Sequence, residues 1–480
     1  MVVLPDMLAC NSGDQPKLVD VVVLIRFQEI PLYIRNKNEL ISHGDNRGRE
    51  IVIDLIEYAL AHADPYKAAL DLVHLDGDIL SVGDLRFDLS KRGKIYVLGA
   101  GKATFGPVKA LEEILKERIS DGVIVVKEGQ EGKLERVKVR QASHPVPDER
   151  GFAAAQEIKS LADKAHSGDI VFCVVTGGSS ALAPLPIAGI TIAEKIRINE
   201  LLLYSGATIQ EINAVRKHLS DIKGGNLALS IFPAEIINLT VSDVIGDPLD
   251  YITDWTVPDT STFTNANQVL QKYGLLERIP QSAREYLLKA DPEKETPKDF
   301  SNRPIHTFVL VDSSEACEAV DRRAKELGFD SRILTAALDG ESPEVSRLFI
   351  DMAKEFRYFP KPFIAPHVVI AGGETTVTIH GAFGKGGPNQ ELALSTAIQL
   401  GNGGAVIFAA IDTDGTDGPT EIAGGIIDNS TSERAREKGL DLMENLSSHN
   451  ASAVLRELGD AITTGHTGTN VNDLVVMLVR

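Results

Sequence analysis

Short apolar runs alternate with amphipathic segments along most of this chain. The recurring unit is a run of β-branched residues, a glycine-rich turn and a segment with apolar residues at helical spacing. This order is typical of parallel sheets whose strands are connected by helices, so we predict an α/β fold. In the first part of the chain the predicted strands are residues 94–100, 122–127, 169–175 and 234–241, and the predicted helices are residues 102–115, 149–164, 192–204 and 209–219.

A polar stretch rich in charge and proline, between about residues 259 and 304, interrupts this pattern and predicts a domain boundary. A chain of 480 residues also exceeds the size at which one core keeps growing. We predict an appendage of uncertain order at residues 1–45, a first domain at 46–300 and a smaller α/β domain at 301–480. The predicted strands of the second domain are residues 306–311, 332–337, 367–370 and 405–411, and its predicted helices are residues 315–327, 343–355 and 389–400.

Composition narrows the class of protein. The net charge of -19 disfavours a nucleic-acid partner, although a few cations inside a cleft still allow a small anionic ligand. Cys10, Cys173 and Cys317 are far apart, which indicates a reducing cytoplasm without a disulfide framework. We find no secretion signal or membrane span, so we expect a cytoplasmic protein without a membrane partner. The oligomeric state stays open, with a homodimer allowed.

Two glycine-rich turns follow predicted strands of the first domain. In the first turn, Gly99 and Gly101 allow backbone amides to approach an anion, and Lys102 adds a positive charge. It is neither a Walker A loop nor a full dinucleotide fingerprint, because Thr104 occupies the third glycine position. The second turn suits a phosphate or carboxylate and contains Thr176, Gly177, Gly178, Ser179 and Ser180. The structural alternatives are a tight turn with a solvated lysine and an ordinary helix cap.

Two further segments carry charge near predicted element ends. Arg216, Lys217 and Lys223 could bind a substrate carboxylate, or they could complement the dipole of their own helix. Asp243 and Asp247 follow a strand and could hold Mg²⁺ or accept a hydroxyl proton, with a cap and a turn aspartate as the alternative.

The second domain contains four polar loops, which include Glu374, Asn389, Asp414 and Asn470. Asp412, Asp414 and Asp417 superficially suggest an EF-hand, but the glycine and glutamate spacing is wrong for one. Polar loops at strand ends predict a cleft between the domains that binds a polyanion.

The motifs resemble a known family when they are taken in order. Gly-Ala-Gly-Lys-Ala from Gly99, Thr-Gly-Gly-Ser-Ser-Ala from Thr176 and Ser-Asp-Val-Ile-Gly-Asp-Pro from Ser242 resemble the N-terminal domain of class II glycerate kinases. Gly-Gly-Glu-Thr-Thr from Gly372, Asp-Thr-Asp-Gly-Thr-Asp-Gly-Pro-Thr from Asp412 and the run from Thr467 resemble its partner domain, MOFRL. The resemblance covers residues 49–479.

The resemblance implies a Rossmann-like domain with a parallel sheet, a smaller α/β domain and an active site in the cleft between them. It implies that ATP phosphorylates the 2-hydroxyl of D-glycerate with Mg²⁺, giving 2-phosphoglycerate. Lys102 would stabilise the transferring phosphoryl group, and Asp243 or Asp247 would orient the hydroxyl or the metal. The implied glycerate site contains Ser179, Ser180, Arg216 and Lys223. The implied nucleotide site contains Gly99, Gly101, Thr176, Gly177, Gly178, Glu374, Asn389, Asp414 and Asn470.

Two departures from the family pattern predict a weakened or altered kinase. Pro388 stands where family members carry a catalytic arginine, and Lys385 is the nearest replacement cation. Thr253-Asp254-Trp255-Thr256 stands where the family has Ser-Gly-Pro-Thr. The alternatives are a hydroxypyruvate reductase and a non-catalytic protein that binds a nucleotide or metabolite. Against the reductase, the Gly99 turn lacks the third glycine of a dinucleotide site.

Overall fold

The computed structural model of the protein describes residues 32–130, 132–242, 254–358, 366–379, 381, 383–401 and 404–480. The strands are β1 (Val73–Asp76), β2 (Ile79–Val82), β3 (Leu85–Asp88), β4 (Ile95–Ala100), β5 (Ile119–Lys127), β6 (Lys138–Ala142), β7 (Ile170–Val175), β8 (Glu235–Val241), β9 (Ile305–Val311), β10 (Asp330–Glu341), β11 (His367–Thr376), β12 (Val406–Asp412), β13 (Gly424–Asp428), β14 (Ala461–Ile462) and β15 (Asp473–Val479). The helices are α1 (Lys37–Leu40), α2 (Asn46–His62), α3 (Pro65–Leu72), α4 (Phe105–Leu115), α5 (Glu149–Ala162), α6 (Ser179–Leu182), α7 (Ile192–Leu203), α8 (Ile209–His218), α9 (Asn226–Ile231), α10 (Phe263–Lys272), α11 (Gln281–Lys289), α12 (Ser313–Glu326), α13 (Ser342–Tyr358), α14 (Pro388–Leu400), α15 (Thr431–Glu437), α16 (Leu442–Ser447) and α17 (Ala451–Leu458).

The first sheet is parallel throughout and has the strand order β6-β5-β4-β7-β8-β9. Its central strands β4 and β7 are buried at every residue, as expected for parallel strands with helices on both faces. The chain winds outward from β4 in one direction and from β7 in the other. The carboxyl ends of these two strands therefore form the switch point at which open α/β sheets bind ligands.

The second sheet is mixed, with the order β10-β11-β15-β12-β13-β14. Only β10 and β11 pair in parallel, whereas β15 runs antiparallel to both of its neighbours, β11 and β12. The carboxyl ends of β11 and β12 consequently meet the first residue of β15, and Asp473 pairs in register with both Gly373 and Asp412. This edge collects the second-domain loops that the sequence singled out.

Helices α7, α8, α10 and α11 form a separate layer with its own apolar core, which includes Ile198, Leu202, Val215 and Leu270. Helices α7 and α8 each begin with a capping box, in which Thr191 pairs with Glu194 and Thr208 pairs with Glu211. The two helices are joined by only a few residues, so they form a hairpin beside the first sheet.

The N-terminal part of the described chain packs on the second sheet. Helix α2 contributes Ile53 and Ile56 to the core that contains Ile407 and Val476. The buried Arg49 pairs with Asp428 and Asp460 at 2.6 and 2.8 Å. Residues 32–45, predicted as part of an appendage of uncertain order, join this unit, because Ile34 and Leu40 are buried in the same core.

Strand β9 extends the first sheet past residue 300, where we placed the boundary. We therefore propose a different division, in which residues 63–311 form the first domain and residues 32–62 join 313–480 in the second.

The predicted α/β class is confirmed, and each predicted strand and helix is present. The sequence reading missed the β1-β2-β3 meander and the short or antiparallel strands β13, β14 and β15. Within the described residues, no helix is long and apolar enough to cross a membrane.

Candidate functional site

The turns after β4 and β7 are in direct contact at the switch point. Gly101 has φ +146°, and a Cβ atom there would lie 2.0 Å from Oγ1 of Thr176, so only glycine fits. The backbone N–H of Lys102 donates to the carbonyl of Gly177 at 2.9 Å. The two predicted anion-binding turns are therefore brought together, with Lys102 at their junction.

The other residues predicted in these turns have different positions. Gly99 lies inside β4, where a Cβ would be 2.3 Å from the carbonyl oxygen of Val174, so it serves strand packing. Gly178 has φ +87° and faces the side chains of His144 and Lys102. Ser179 is buried at the start of α6.

Lys102 connects the first-sheet side of the cleft to the second-sheet side. Its Nζ donates to Oδ2 of Asp414 at 2.5 Å, and both side chains are largely buried. Burial alone would raise the pKa of Asp414, but the Lys102 ammonium outweighs that effect and holds the pKa below its ordinary value. The ion pair places one cation where the two sets of loops face each other.

A narrow gap beside this ion pair is lined by Lys127, Gln130 and His466 as well as Lys102 and Asp414. The Nζ of Lys127 lies 3.4 Å from Oγ1 of Thr416, and Gln130 donates to the carbonyl of Lys102 at 2.8 Å. The sequence reading missed Lys127 and His466. Lys127 is the last residue of a strand whose carboxyl end adjoins the switch point, and that position could have revealed it.

His144 was also missed, since it follows β6, a strand that the sequence pattern did not reveal. Burial, followed by the charges of Lys102 and Lys127, lowers the pKa of His144 to about 4. The imidazole is therefore neutral at pH 7 and can donate or accept a hydrogen bond without adding charge.

Three cations, which we call the cation cluster, lie behind the second turn: Lys195 and Lys223, which are buried, and Arg216, which is half-buried. Lys223 donates to Oγ of Ser180 at 2.7 Å and forms an ion pair with Asp254. The departure at residues 253–256 thus supplies the counter-ion of a predicted substrate ligand. Among the described residues, Asp254 is the carboxylate whose charge acts on all three cations, so positive charge exceeds negative charge within this cluster.

The electrostatics of the cation cluster show this imbalance directly. Burial, then the charges of Lys223 and Arg216, lowers the pKa of Lys195 to about 7. Burial lowers the pKa of Arg216 to about 10. The Nε of Arg216 donates to Oδ1 of Asn199 at 3.1 Å, which fixes the plane of the guanidinium. An anionic ligand would relieve the repulsion between these groups.

A cavity of about 250 Å³ opens beside the cation cluster and is lined by Gly178, Ser180, Asn199 and Arg216, among others. The predicted substrate ligands Ser180 and Arg216 therefore share one cavity with Gly178, whose neighbour is Lys102. Lys217, the third cation of the sequence motif, is instead buried in an ion pair with Asp259.

The facing edge of the second sheet carries the opposite charge. Four carboxylates, which we call the acidic cluster, lie there: Asp412, Asp414, Asp417 and Asp473. Burial raises the pKa of Asp417 to about 6 and that of Asp473 to about 8. Burial and the neighbouring charge of Asp414 raise the pKa of Asp412 well above its usual range.

Asn389 holds the acidic cluster together. Its Nδ2 donates to Oδ1 of Asp473 at 2.6 Å and to Oδ1 of Asp417 at 3.2 Å, and Gln390 donates to the other oxygen of Asp417 at 2.9 Å. Asn389 is only 1% exposed, so its side chain is buried between the carboxylates that it contacts.

The remaining predicted residues take several positions. Glu374 is exposed at the end of β11, and Asn470 is buried two residues after Gly468, which lines the narrow gap. Lys385 is exposed, and its backbone binds Asn450 and Ser452. Pro388 begins α14, where its missing N–H costs no helical hydrogen bond. Asp243, Asp247 and Thr253 lie outside the described residues.

A site for Mg²⁺ would need carboxylate ligands near the proposed position of the nucleotide. No group of three His, Cys, Asp or Glu side chains suitable for a metal ion occurs in the described ranges. Mg²⁺ bound together with a nucleotide, however, needs only one or two carboxylates besides water and phosphate oxygens. Asp412 and Asp414 fit that requirement, because they lie close together, with the N–H of Asp414 donating to Oδ1 of Asp412 at 2.9 Å, and because burial and the charge of Asp414 raise the pKa of Asp412.

Comparison with known proteins matches two parts of the chain to two different families. Residues 51–288 match a family described as a domain of unknown function, DUF4147, and residues 367–473 match the MOFRL family. Both segments lie within the described fold, one mainly on each sheet.

Named relatives cover nearly the whole chain. It is similar to the glycerate 2-kinase of Pyrococcus horikoshii, with 42% identity over 90% of this chain and 97% of that protein. It is similar to the D-glycerate 2-kinase of Thermotoga maritima, with 40% identity over 80% of this chain and 91% of that protein. A crystal structure of glycerate kinase from Thermotoga maritima superimposes with a TM-score of 0.77 and 36% identity, covering 90% of this chain and 99% of that chain.

Proposed function

Because this chain belongs to the class II glycerate kinase family, we propose that it uses ATP to phosphorylate the 2-hydroxyl of D-glycerate in the cleft between the two sheets. The observation that carries this proposal is Lys102, which lies at the switch point of the first sheet and contacts Asp414 of the second. We further propose that the protein works in the cytoplasm and forms a homodimer.

In the proposed reaction, the oxygen of the 2-hydroxyl forms a bond to the γ-phosphorus of ATP. The bond between that phosphorus and the bridging oxygen of ADP breaks, and the hydroxyl proton leaves to Asp243 or Asp247. Phosphoryl transfer needs little covalent chemistry from the protein, so positioning and charge stabilisation supply most of the rate. Lys102 would stabilise the charge on the transferring group.

The acceptor would lie in the cavity beside the cation cluster. Its carboxylate would bind the terminal nitrogens of Arg216, supported by Lys223 and by the Ser179–Ser180 end of the second turn. In the described part of the chain only the Nε of Arg216 has a hydrogen-bond partner, so both terminal nitrogens remain available. The 2-hydroxyl would then point past Gly178 toward Lys102.

The nucleotide would bind across the junction of the turns. Backbone groups of Gly101, Thr176, Gly177 and Gly178 would face its phosphates, with Gly99 supporting the turn from within β4. Asp414, Glu374 and Asn470 would contact it from the second sheet, with Asn389 holding the carboxylates behind them. Mg²⁺ held by Asp412 or Asp414, or by Asp243 or Asp247, would neutralise the charge of the phosphates. Lys385 would supply the cation that Pro388 lacks.

The proposal is tested by measuring release of ADP with ATP, Mg²⁺ and D-glycerate, and by identifying the product as 2-phosphoglycerate. Oxidation of NADH with hydroxypyruvate would support the reductase instead. Thermal stabilisation by ATP without turnover would support a binding protein. Either result without glycerate-dependent ADP release would reject the proposal.

A further inference from the structure

The cavity beside Arg216 extends well beyond the groups that a three-carbon acid needs. On α7, the cavity wall consists of Ile196, Asn199, Glu200 and Leu203, which are spaced as one stripe of a helix. With a rise of about 1.5 Å per residue, this stripe is about 10 Å long. The cavity therefore follows two turns of the helix rather than ending at the carboxylate ligands.

The polarity of the cavity changes along this length. Asn199 contacts Arg216 near its inner end, where Ser180 and Lys223 also lie. Toward the α7–α8 turn, the wall consists of Leu203 and Ile209, which come from either side of that turn. Ile209 and Arg216 are seven residues apart on the same face of α8, so the apolar and cationic ends are separated by two helical turns.

The apolar end is lined by large hydrophobic side chains that are exposed to solvent. Leu203 is 55% exposed, Ile209 is 53% exposed and Val146, which also lines the cavity, is 50% exposed. Exposed apolar side chains that line the same cavity as Arg216 suit a ligand with an anionic head and an apolar side group. Glycerate has no apolar side group.

We propose that the Val146–Leu203–Ile209 end of this cavity is a subsite for an apolar substituent on the acceptor, so that the enzyme also phosphorylates 2-hydroxy acids larger and less polar than glycerate. This inference rests on the proposed function, because it places the acceptor carboxylate at Arg216. The carboxylate fixes one end of the acid, the 2-hydroxyl faces Lys102, and the carbon chain at C3 runs along α7 toward Leu203.

The test compares kcat/KM for D-glycerate, D-lactate, D-2-hydroxybutyrate and D-2-hydroxyvalerate in the ADP-release assay with the full chain. Because each buried methylene contributes about 0.8 kcal/mol, we expect kcat/KM to rise about fourfold per carbon from lactate to hydroxyvalerate. Leu203→Ser should remove most of this rise. Leu288→Ser, an equally exposed leucine on α11, should leave it unchanged.

The possible results distinguish failure of the subsite proposal from failure of the proposed kinase function. Turnover of glycerate with no turnover or competition by the longer acids would overturn the subsite and leave the proposed function intact. A rise in KM for ATP in Leu203→Ser, with the acceptor series unchanged, would assign the cavity to the nucleotide and overturn the subsite. If no acid supports ADP release, the proposed function fails. Titration calorimetry then measures the affinity of each acid. The subsite is supported if affinity rises with chain length from lactate to hydroxyvalerate, and it is overturned if affinity does not rise.

Discussion

The two sides of the cleft bury charge of opposite sign. On the first-sheet side, Asp254 is the described carboxylate whose charge acts on Lys195, Arg216 and Lys223, and the pKa values of all three cations are lowered. On the second-sheet side, Asp412, Asp417 and Asp473 have raised pKa values.

Each side is therefore electrostatically unfavourable alone, and each would be relieved by a different ligand. An anion would stabilise the cationic side, and a cation or a proton would stabilise the acidic side. Among the described residues, Lys102 on the first-sheet side forms an ion pair with Asp414 on the second-sheet side. This contrast suits ligands of both signs bound side by side, as the proposed metal-bound nucleotide and acid would be.

Removing the ion pair between Lys102 and Asp414 should have the largest effect on activity. Lys102→Met is expected to lower kcat by about 100- to 1000-fold, because the charge that stabilises the transferring phosphoryl group is lost. Single-turnover ADP release measures this loss. Lys109→Met, a change to an exposed lysine on α4, serves as the control and should leave kcat unchanged. Equal activity of the two variants would show that this ion pair has no part in catalysis.

Weakening the cationic side should act on substrate binding. Arg216→Met is expected to raise the KM for D-glycerate by about 10- to 150-fold, the range for a lost hydrogen bond to a charged group. Arg216→Lys should recover part of that loss, since lysine keeps the charge but not the planar pair of donors. Initial rates across glycerate concentrations give both values. An unchanged KM in Arg216→Met would place the carboxylate elsewhere.

Neutralising the acidic side should change the pH dependence of stability. The folded protein holds a proton on Asp473 up to about pH 8, whereas the unfolded chain releases it near pH 4. The folded state thus binds more protons between these values, and this group's contribution to the free energy of unfolding falls as pH rises, by at most about 1.4 kcal/mol per pH unit.

Asp473→Asn should flatten that decline between pH 4 and 8. Urea unfolding at several pH values measures the slope. Asp441→Asn, which changes the exposed cap of α16, is the matched control and should keep the wild-type slope above about pH 5. The same slope in Asp473→Asn and wild type would show that Asp473 is ionised in the folded protein.

Adding a cation to the acidic side should give the smallest change. Pro388→Arg is expected to raise kcat for glycerate by a few-fold, because it restores a planar cation at the start of α14. The measurement is kcat at saturating ATP and glycerate. Pro388→Ala controls for loss of the proline ring and should not raise kcat. A lower rate in the arginine variant than in the alanine variant would mean that the missing cation is not what limits turnover.

The sequence predicted the first-sheet half of the site better than the second-sheet half, for a physical reason. The turn at Gly101 and Lys102 follows a buried strand directly, so local pattern and position identify it together. Arg216 and Lys223 lie in one short sequence segment, residues 211–225. Asn389, by contrast, has the residue type of a ligand, but only its burial between Asp417 and Asp473 shows that it supports other groups.

Contacts between distant parts of the chain were beyond local pattern. His144 lies near Lys102 because of the order of strands in the sheet, and that order is not written in any short motif. Likewise, nothing local to α2 indicates that it packs on β15. The different domain division that we propose has the same origin, since β9 pairs with β8 of the sheet that precedes the polar stretch.

The packing of the N-terminal segment has a consequence for synthesis on the ribosome. Asn36 donates a hydrogen bond to the carbonyl of Ala461, which is 425 residues later in the chain. Likewise, the part of the α2 face that packs on β12 and β15 has no native partner until these strands are synthesised, and during that time it is a natural binding site for chaperones. A fragment that ends before residue 406 would keep that part of the face exposed.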